Sequence, residues 1–285
     1  MELGLLRREF KFKVLKTKYW LPGDDYITII TNSIKNHAKD GDILAISEKA
    51  LSIAKGNIFD ELKVKPSSLA KFLSIFWMRI CWGYLFSRIC HLKEDSILKL
   101  RNYPKDLGSR HKQLALYFSG FLQTLRHGSE GGIDVTNLPY SYACLPLKNP
   151  QEEVQFLKEA LWKRLKLNLE VMIVDTDMTY SLRNFHISPR KSYGKGIVSK
   201  GGFLTYILCR ALKLKARATP IACSSERIYG ELALELAQLS HVARGYGSGK
   251  DAWDMAERFK VPLDKVTWSM LKKVKHYPLV LIRRK

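Results

Sequence analysis

Residues Leu169–Thr176 read LEVMIVDT, an apolar run that gives way to Asp175 and Thr176. Leu, Val, Met, Ile and Val in such a run form the pattern of a buried strand. Open sheets collect ligand chemistry at the carboxyl ends of their strands, so a carboxylate and a hydroxyl there mark a candidate site. A second acidic turn, Gly131–Asn137 (GGIDVTN), sets Asp134 and Asn137 between apolar segments. Together the two segments suggest distant carboxylates gathered around a divalent cation and a phosphate. Taken singly, Asp134 and Asp175 are also readable as turn or helix-capping residues.

Outward from this strand, the punctuation of the chain sets the other elements. Phe10–Thr17 alternates as an opening strand, and Pro22–Asp25 is a turn in which Asp24 caps a helix running to about Ala38. Ile43–Ser47 reads as the next strand and Ala50–Ala54 as a second short one. Pro66–Ser68 opens a long aromatic helix, Asp95–His111 is a polar connection, and Gln113–Leu125 returns to apolar structure. Asn149 starts an amphipathic helix to about Lys166, with Val154, Leu157, Leu161 and Leu165 on one face. Ala216–Ala222 is a strand, Tyr229–Ala243 a helix, Val261–Leu271 mixed, and Tyr277–Ile282 a closing strand. Strands and helices alternate without a clean βαβ repeat. The expected class is therefore α+β, with mixed or antiparallel sheets and flanking helices.

Composition bounds the function. The chain has 285 residues, 46% of them hydrophobic, enough for a large core. Its 48 basic and 27 acidic residues leave a net charge of +21, which invites anionic partners. Between Arg183 and Arg217 there are nine Lys or Arg and no acid; Arg258–Lys285 carries nine against Asp264 alone. The first basic block follows the Asp-Thr strand and would bring a positive field to the same pocket. Five cysteines without a CxxC pair argue against a disulfide framework or zinc knuckle and fit a reducing cytoplasm. Met1–Lys18 has no continuous apolar core, so no secretory signal is expected. Phe72–Ile89 approaches the length of a membrane span, but Arg79 near its centre favours a buried or dimer-interface helix over a membrane role.

Arg244–Lys250 (RGYGSGK) resembles a P-loop, yet its glycines are one residue short of GxxxxGK and Asp251 stands where Ser or Thr is required. Backbone N–H groups of Gly245, Gly247 and Gly249, with Arg244, remain candidates for an anion at the start of the following helix; the alternative is a flexible turn. The tract around Gly194–Gly202 is a second basic, glycine-rich loop, a lid or an ordinary surface loop. The seven histidines show no HxxxH or HExxH arrangement, and no role is assigned to them.

The segments PGDD, DGDILAISEKALSIAKGN, GGIDVTN and VMIVDT, in this order over residues 10–250, resemble the γ-glutamyl ligase family of the deazaflavin coenzyme F-420. RGYGSGKDAWDMAERFKVP and HYPLVLIRR look like an archaeal subgroup. The resemblance implies a γ-glutamyl-ligase-like fold over residues 1–250, as one unit or as two intertwined subdomains, with 251–285 as a basic C-terminal extension packed on it. It implies a homodimer that joins glutamate to an acid such as the coenzyme precursor, using GTP and Mg²⁺ or Mn²⁺ through an acyl phosphate. Asp134, Asp175 and Thr176 fall on metal-binding positions and Asn137 on a nucleotide contact. The chain departs from the family pattern in two loops. Lys16–Trp20 replaces a GLPLI-like cradle, and Glu48, Lys49, Ser52 and Ile53 replace a Ser-Thr pair and Ser-Lys, leaving Lys49 or Lys55 to reach the phosphate. A ligase for a different acid and amine is the near variant. A non-catalytic nucleotide- or nucleic-acid-binding protein on the same scaffold is the rival expectation.

Overall fold

The LEVMIVDT segment lies at the middle of a seven-stranded mixed sheet in a computed structural model that describes residues 9–139 and 141–285. The first eight residues of the Met1–Lys18 stretch lie outside the described residues. The strands are β1 (Phe10–Thr17), β2 (Ile43–Ser47), β3 (Ile58–Asp60), β4 (Tyr142–Cys144), β5 (Glu170–Leu182), β6 (Phe185–Ser188), β7 (Val198–Ser199), β8 (Lys215–Cys223) and β9 (His276–Arg284). The principal helices are α1 (Tyr26–Ile34), α2 (Glu48–Ala54), α3 (Ser68–Ile89), α4 (Glu94–Arg101), α5 (Asp106–Phe118), α6 (Pro150–Leu165), α7 (Gly202–Ala211), α8 (Gly230–Arg244) and α9 (Ala252–Phe259).

The main sheet runs β1-β9-β2-β5-β6-β7, with β8 also on β5, and β3 and β4 pair separately. Only β2–β5 and β6–β7 are parallel. This is an α+β fold with a mixed sheet and flanking helices. His276–Arg284, expected within an extension packed on the rest, is instead an internal strand between β1 and β2.

Helices cover both faces of the sheet, which is why β5 reads as a continuous apolar run and not an alternating one. On one face Val171 and Ile173 pack with Leu44 and Ile46 against Ile30 and Ile34 of α1, Leu51 of α2 and Val154, Leu157 and Leu161 of α6. On the other, Met172 and Val174 meet Ala233, Leu236 and Ala237 of α8. A third cluster, Leu73, Met78, Trp82, Leu100, Tyr103 and Phe203, joins α3, α4 and α7 beside the sheet. The helix Ser68–Ile89 is long and apolar enough to cross a membrane. One side of it is buried in this cluster, while Phe72, Ile75, Phe76, Ile80 and Tyr84 stay exposed.

Four further sequence expectations change. Asp25, not Asp24, caps α1 by accepting from Thr28 N, while Asp24 accepts from Leu21 N at 2.8 Å, and α1 stops at Ile34. Ala50–Ala54 is helical, because a short apolar run has no period that separates a buried strand from a buried helix. Asp95–His111 is no mere connection: it lies largely in α4 and α5, which bury Ile97 and Leu100 and present Asp95 and Asp106 to solvent. Finally, β5 does not end at Asp175-Thr176 but continues to Leu182. What ends there is its ladder with β2, at Ser47↔Val174; β8 pairs onward, with a bulge between Asp175 and Met178.

Candidate functional site

The parallel ladder explains why chemistry collects at this end of the sheet. Ser47 lies opposite Val174, so Glu48-Lys49 and Asp175-Thr176 follow side by side. The bulge then re-aims the next side chains: Asp175 and Asp177 are buried and Thr176 is exposed. Asp134 arrives from the Gly131–Asn137 turn, which is tied to β4 by paired backbone bonds between Asp134 and Cys144. Its Oδ1 accepts from Thr136 N at 2.7 Å, and its Oδ2 is ion-paired with Lys49. The Lys49 ammonium also donates to the Thr136 carbonyl at 3.2 Å.

Arg190 lies between the strand-end carboxylates. It donates to Glu48 through both terminal nitrogens, at 2.8 and 3.1 Å, and forms an ion pair with Asp175 Oδ2. Its guanidinium sits beneath Gly132, where a Cβ would come within 2.5 Å of the guanidinium carbon. Arg126 approaches Asp177 Oδ1 at 3.6 Å, while Asp177 Oδ2 and Arg190 Nε are buried, 3.9 Å apart, without hydrogen-bond partners. Burial raises the Glu48 carboxyl above its ordinary value. Against the same burial, Arg190 holds Asp175 below its ordinary value. Burial, joined by the charge of Asp175, pushes Asp177 up to about 6 against the pull of Arg126 and Arg190.

Of these residues, Arg126 and Asp177 border a cavity of about 420 Å³, the size of a small-molecule site. Asp134, Thr136, Thr176, Asp177 and Arg126 form its polar end, and Tyr103, Tyr206, Trp253 and Leu100 are among the residues of its apolar wall. His127 is kept neutral, its pKa pushed down to about 3 by burial and Arg126, and it bonds the Tyr206 hydroxyl at 2.8 Å. His186 is elsewhere, against Ser181.

The glycine loop meets the acidic turn through Asn137. Its Oδ1 accepts from Ser248 N at 2.7 Å and from the Ser248 hydroxyl, and its Nδ2 donates to the Tyr246 carbonyl at 3.3 Å. Tyr19 donates its hydroxyl to the Asn137 carbonyl, so the Lys16–Trp20 segment packs an aromatic ring where a backbone cradle was expected. Arg244 bonds the Ser240 carbonyl at 3.3 Å, and its surroundings push its pKa down to about 10, partly offset by Asp175. Gly245 and Gly247 hold positive φ; Gly249 does not. Lys55 instead pairs with Glu153, away from this site.

The structure thus brings Lys49, Asp134, Asn137, Asp175 and Thr176 to one end of the sheet and ties the Arg244–Lys250 loop to it. It does not gather Asp134, Asp175 and Thr176 into one set of ligands. Asp134 and Thr176 border the cavity, Asp175 is held back by Arg190, and among the described residues no group of three or more His, Cys, Asp or Glu is placed to hold a metal. With Asp134 and Asp175 each committed to a side-chain cation, the residues as arranged do not fit the expected Mg²⁺ or Mn²⁺. Sequence reasoning missed Glu48, Arg126, Asp177 and Arg190 as site residues. For Glu48 and Asp177 the signal was present, since one follows Ser47 and the other stands two residues beyond Asp175 on a strand. For the two arginines there was none.

Residues 14–187 match the family described as F420-0:Gamma-glutamyl ligase, a span that covers more than half of the chain and holds Lys49, Asp134, Asn137 and Asp175. Uncharacterized protein MJ1361 of Methanocaldococcus jannaschii is 34% identical over 281 residues, 95% of each chain. The match across the site-bearing strands shows that the chain belongs to the F420-0:gamma-glutamyl ligase family.

Proposed function

We propose that the protein is a nucleotide-dependent ligase that forms an amide through an acyl phosphate. The observation that carries this reading is the convergence of Glu48-Lys49, Asp175-Thr176 and the Asp134–Asn137 turn beside one end of a half-open cavity, which Asp134, Thr136 and Thr176 line, with the glycine loop pinned to the turn. In the first step a carboxylate oxygen of the acid attacks the γ-phosphorus of GTP or ATP, and the nucleoside diphosphate leaves. In the second an amine nitrogen attacks the acyl carbon, inorganic phosphate departs with that oxygen, and the amine loses a proton. Lys49, bonded to the turn that meets the glycine loop, and Arg244, at the start of that loop, offset the phosphoryl charge. The apolar wall of Tyr103, Tyr206 and Trp253 takes the body of the acid, the coenzyme F-420 precursor or a related molecule, and the amine partner is of glutamate type. No nucleophilic side chain is required, because the phosphoryl group itself activates the carboxylate.

Calorimetric titration with GTP and ATP tests this. Lys49→Ala removes a charged donor worth about 1.5–3 kcal/mol, so nucleotide affinity should fall about 10- to 100-fold while the fold persists. Wild-type protein that binds neither nucleotide would sink the ligase reading.

A further inference from the structure

We propose that Arg190, with Lys49 beside it, is a built-in cation that takes the place of a carboxylate-held divalent metal at this site. Three independent features converge on it. The carboxylate oxygens of Glu48 and Asp134, and one of Asp175, are engaged, which leaves Asp177 Oδ2 as the buried carboxylate oxygen of this group without a hydrogen-bond partner: Glu48 Oε1 accepts from Arg190 and from Leu147 N at 3.1 and 3.2 Å, and its Oε2 accepts from Arg190 at 2.8 Å. Asp175 Oδ2 is paired with Arg190, and both Asp134 oxygens are taken, by Thr136 N and by Lys49. A Mg²⁺ or Mn²⁺ ion needs several such oxygens as direct ligands, and to take those of Glu48, Asp134 and Asp175 together it would have to displace a guanidinium and an ammonium, since Asp177 Oδ2 alone does not make a site.

The second feature is space. Gly132 has φ +99°, a conformation side chains rarely adopt, and an added Cβ would lie 2.5, 2.6 and 2.7 Å from the carbon and two terminal nitrogens of the Arg190 guanidinium. The acidic turn is therefore shaped around this cation. The third is charge. Glu48, Asp134, Asp175 and Asp177 face Lys49, Arg126 and Arg190, so most of the negative charge that would draw a divalent ion is compensated by the chain itself. Arg190 lies beyond residue 187, where the family match ends.

A fixed guanidinium, bidentate to one carboxylate and shared with a second, holds the strand ends at constant charge whatever the metal supply. The ligase reading gives this its meaning, since a polyphosphate would then meet Lys49 and Arg244 and not a carboxylate-held metal.

The test uses Mn²⁺ alone as probe, added to the nucleotide-free full chain and read from the electron paramagnetic resonance of free Mn²⁺. Wild-type protein should bind Mn²⁺ no more tightly than about 1 mM. Arg190→Gln should gain affinity about tenfold or more, and Mn²⁺ should raise the melting temperature of this variant but not of wild type. The gain should vanish in Arg190→Gln combined with Asp175→Asn. Micromolar binding by wild type that is lost in Asp175→Asn would overturn the proposal, as would a folded Arg190→Gln that gains nothing. If Arg190→Gln is too unstable, Arg190→Lys, which keeps the charge, should fold and stay as indifferent to Mn²⁺ as wild type; tight binding by it would equally overturn the proposal. Because no nucleotide is present, these results stand apart from the nucleotide titration. A protein that binds no nucleotide would lose the ligase reading and leave the role of Arg190 judged on its own.

Discussion

Two groups of buried carboxylates meet the same cavity, one through Glu61 and Glu130 and the other through Asp177. On the α5 wall, His111 lies between Glu61 at 2.6 Å and Glu130 at 3.1 Å, and the fully buried Lys112 donates to Glu130 and to the carbonyls of Thr124 and Arg126 at 2.6–2.9 Å. At the ends of β2 and β5, Glu48, Asp175 and Asp177 share Arg190 and Arg126, yet Asp177 Oδ2, Arg190 Nε and Arg126 Nε have no hydrogen-bond partner. Among the described residues neither His111 nor Lys112 nor Glu130 leaves a buried side-chain nitrogen or oxygen unpaired. A satisfied buried network adds rigidity, whereas a partly satisfied one keeps polar groups available to something that arrives later. The first wall therefore reads as scaffold and the second as the working face.

The comparison breaks most sharply at Lys112. Lys112→Met leaves Glu130 with only His111 as a charge partner and should cost about 3–5 kcal/mol in urea unfolding. A loss under about 1 kcal/mol would mean that this wall is not the scaffold.

A pH series probes the same wall more gently. His111 is raised from 6.5 to about 10, since its two carboxylates outweigh burial, and Glu130 is held below its ordinary 4.5 by Lys112 and His111, again against burial. The stability that His111 contributes is complete below about pH 6.5 and is lost as pH rises towards 10. That of Glu130 is complete above about 4.5 and is lost in acid. Melting temperatures should thus fall on the alkaline side, and His111→Gln should flatten that fall. An equally steep alkaline limb in the variant would place the titrating group elsewhere.

On the working face, Asn137→Ala removes three contacts that pin the glycine loop to the acidic turn and leaves the bond from Arg258 to the Gly247 carbonyl. Stability should drop by about 1–2 kcal/mol, and limited proteolysis should open the chain within Gly245–Lys250. A loop as resistant as in wild type would show that it is held by other means. The smallest effect on stability is expected at Asp177→Asn, within about 1 kcal/mol, because Oδ2 gives up no hydrogen bond. Ligand binding should shift with it, since Asp177 borders the cavity. A variant that unfolds easily and binds normally would reverse the assignment of the two walls.

Legibility in the sequence followed how local each signal was. The strand around Val171–Val174 and the face of α6 could be read because burial on two sides of a sheet, or on one side of a helix, writes itself into residue order. Asp95–His111 misled because α4 and α5 present charged residues such as Asp95 and Asp106 to solvent, and because its end, His111, is buried against Glu61, a partner 50 residues away that leaves no trace in local polarity. Asp175 was found as a strand end although β5 runs on, because the ladder with β2 ends at its side.

The sequence by itself determined the α+β class, most of the apolar elements, the family and the candidacy of Asp134 and Asp175, all of which depend on residue type and short spacing. The tertiary structure alone decided which cation each carboxylate meets. Arg190 reaches Glu48 across 142 positions of sequence, and Asn137 reaches Ser248 across 111. Such pairings depend on register and on the space left by Gly132, which exist only once the sheet has closed around them.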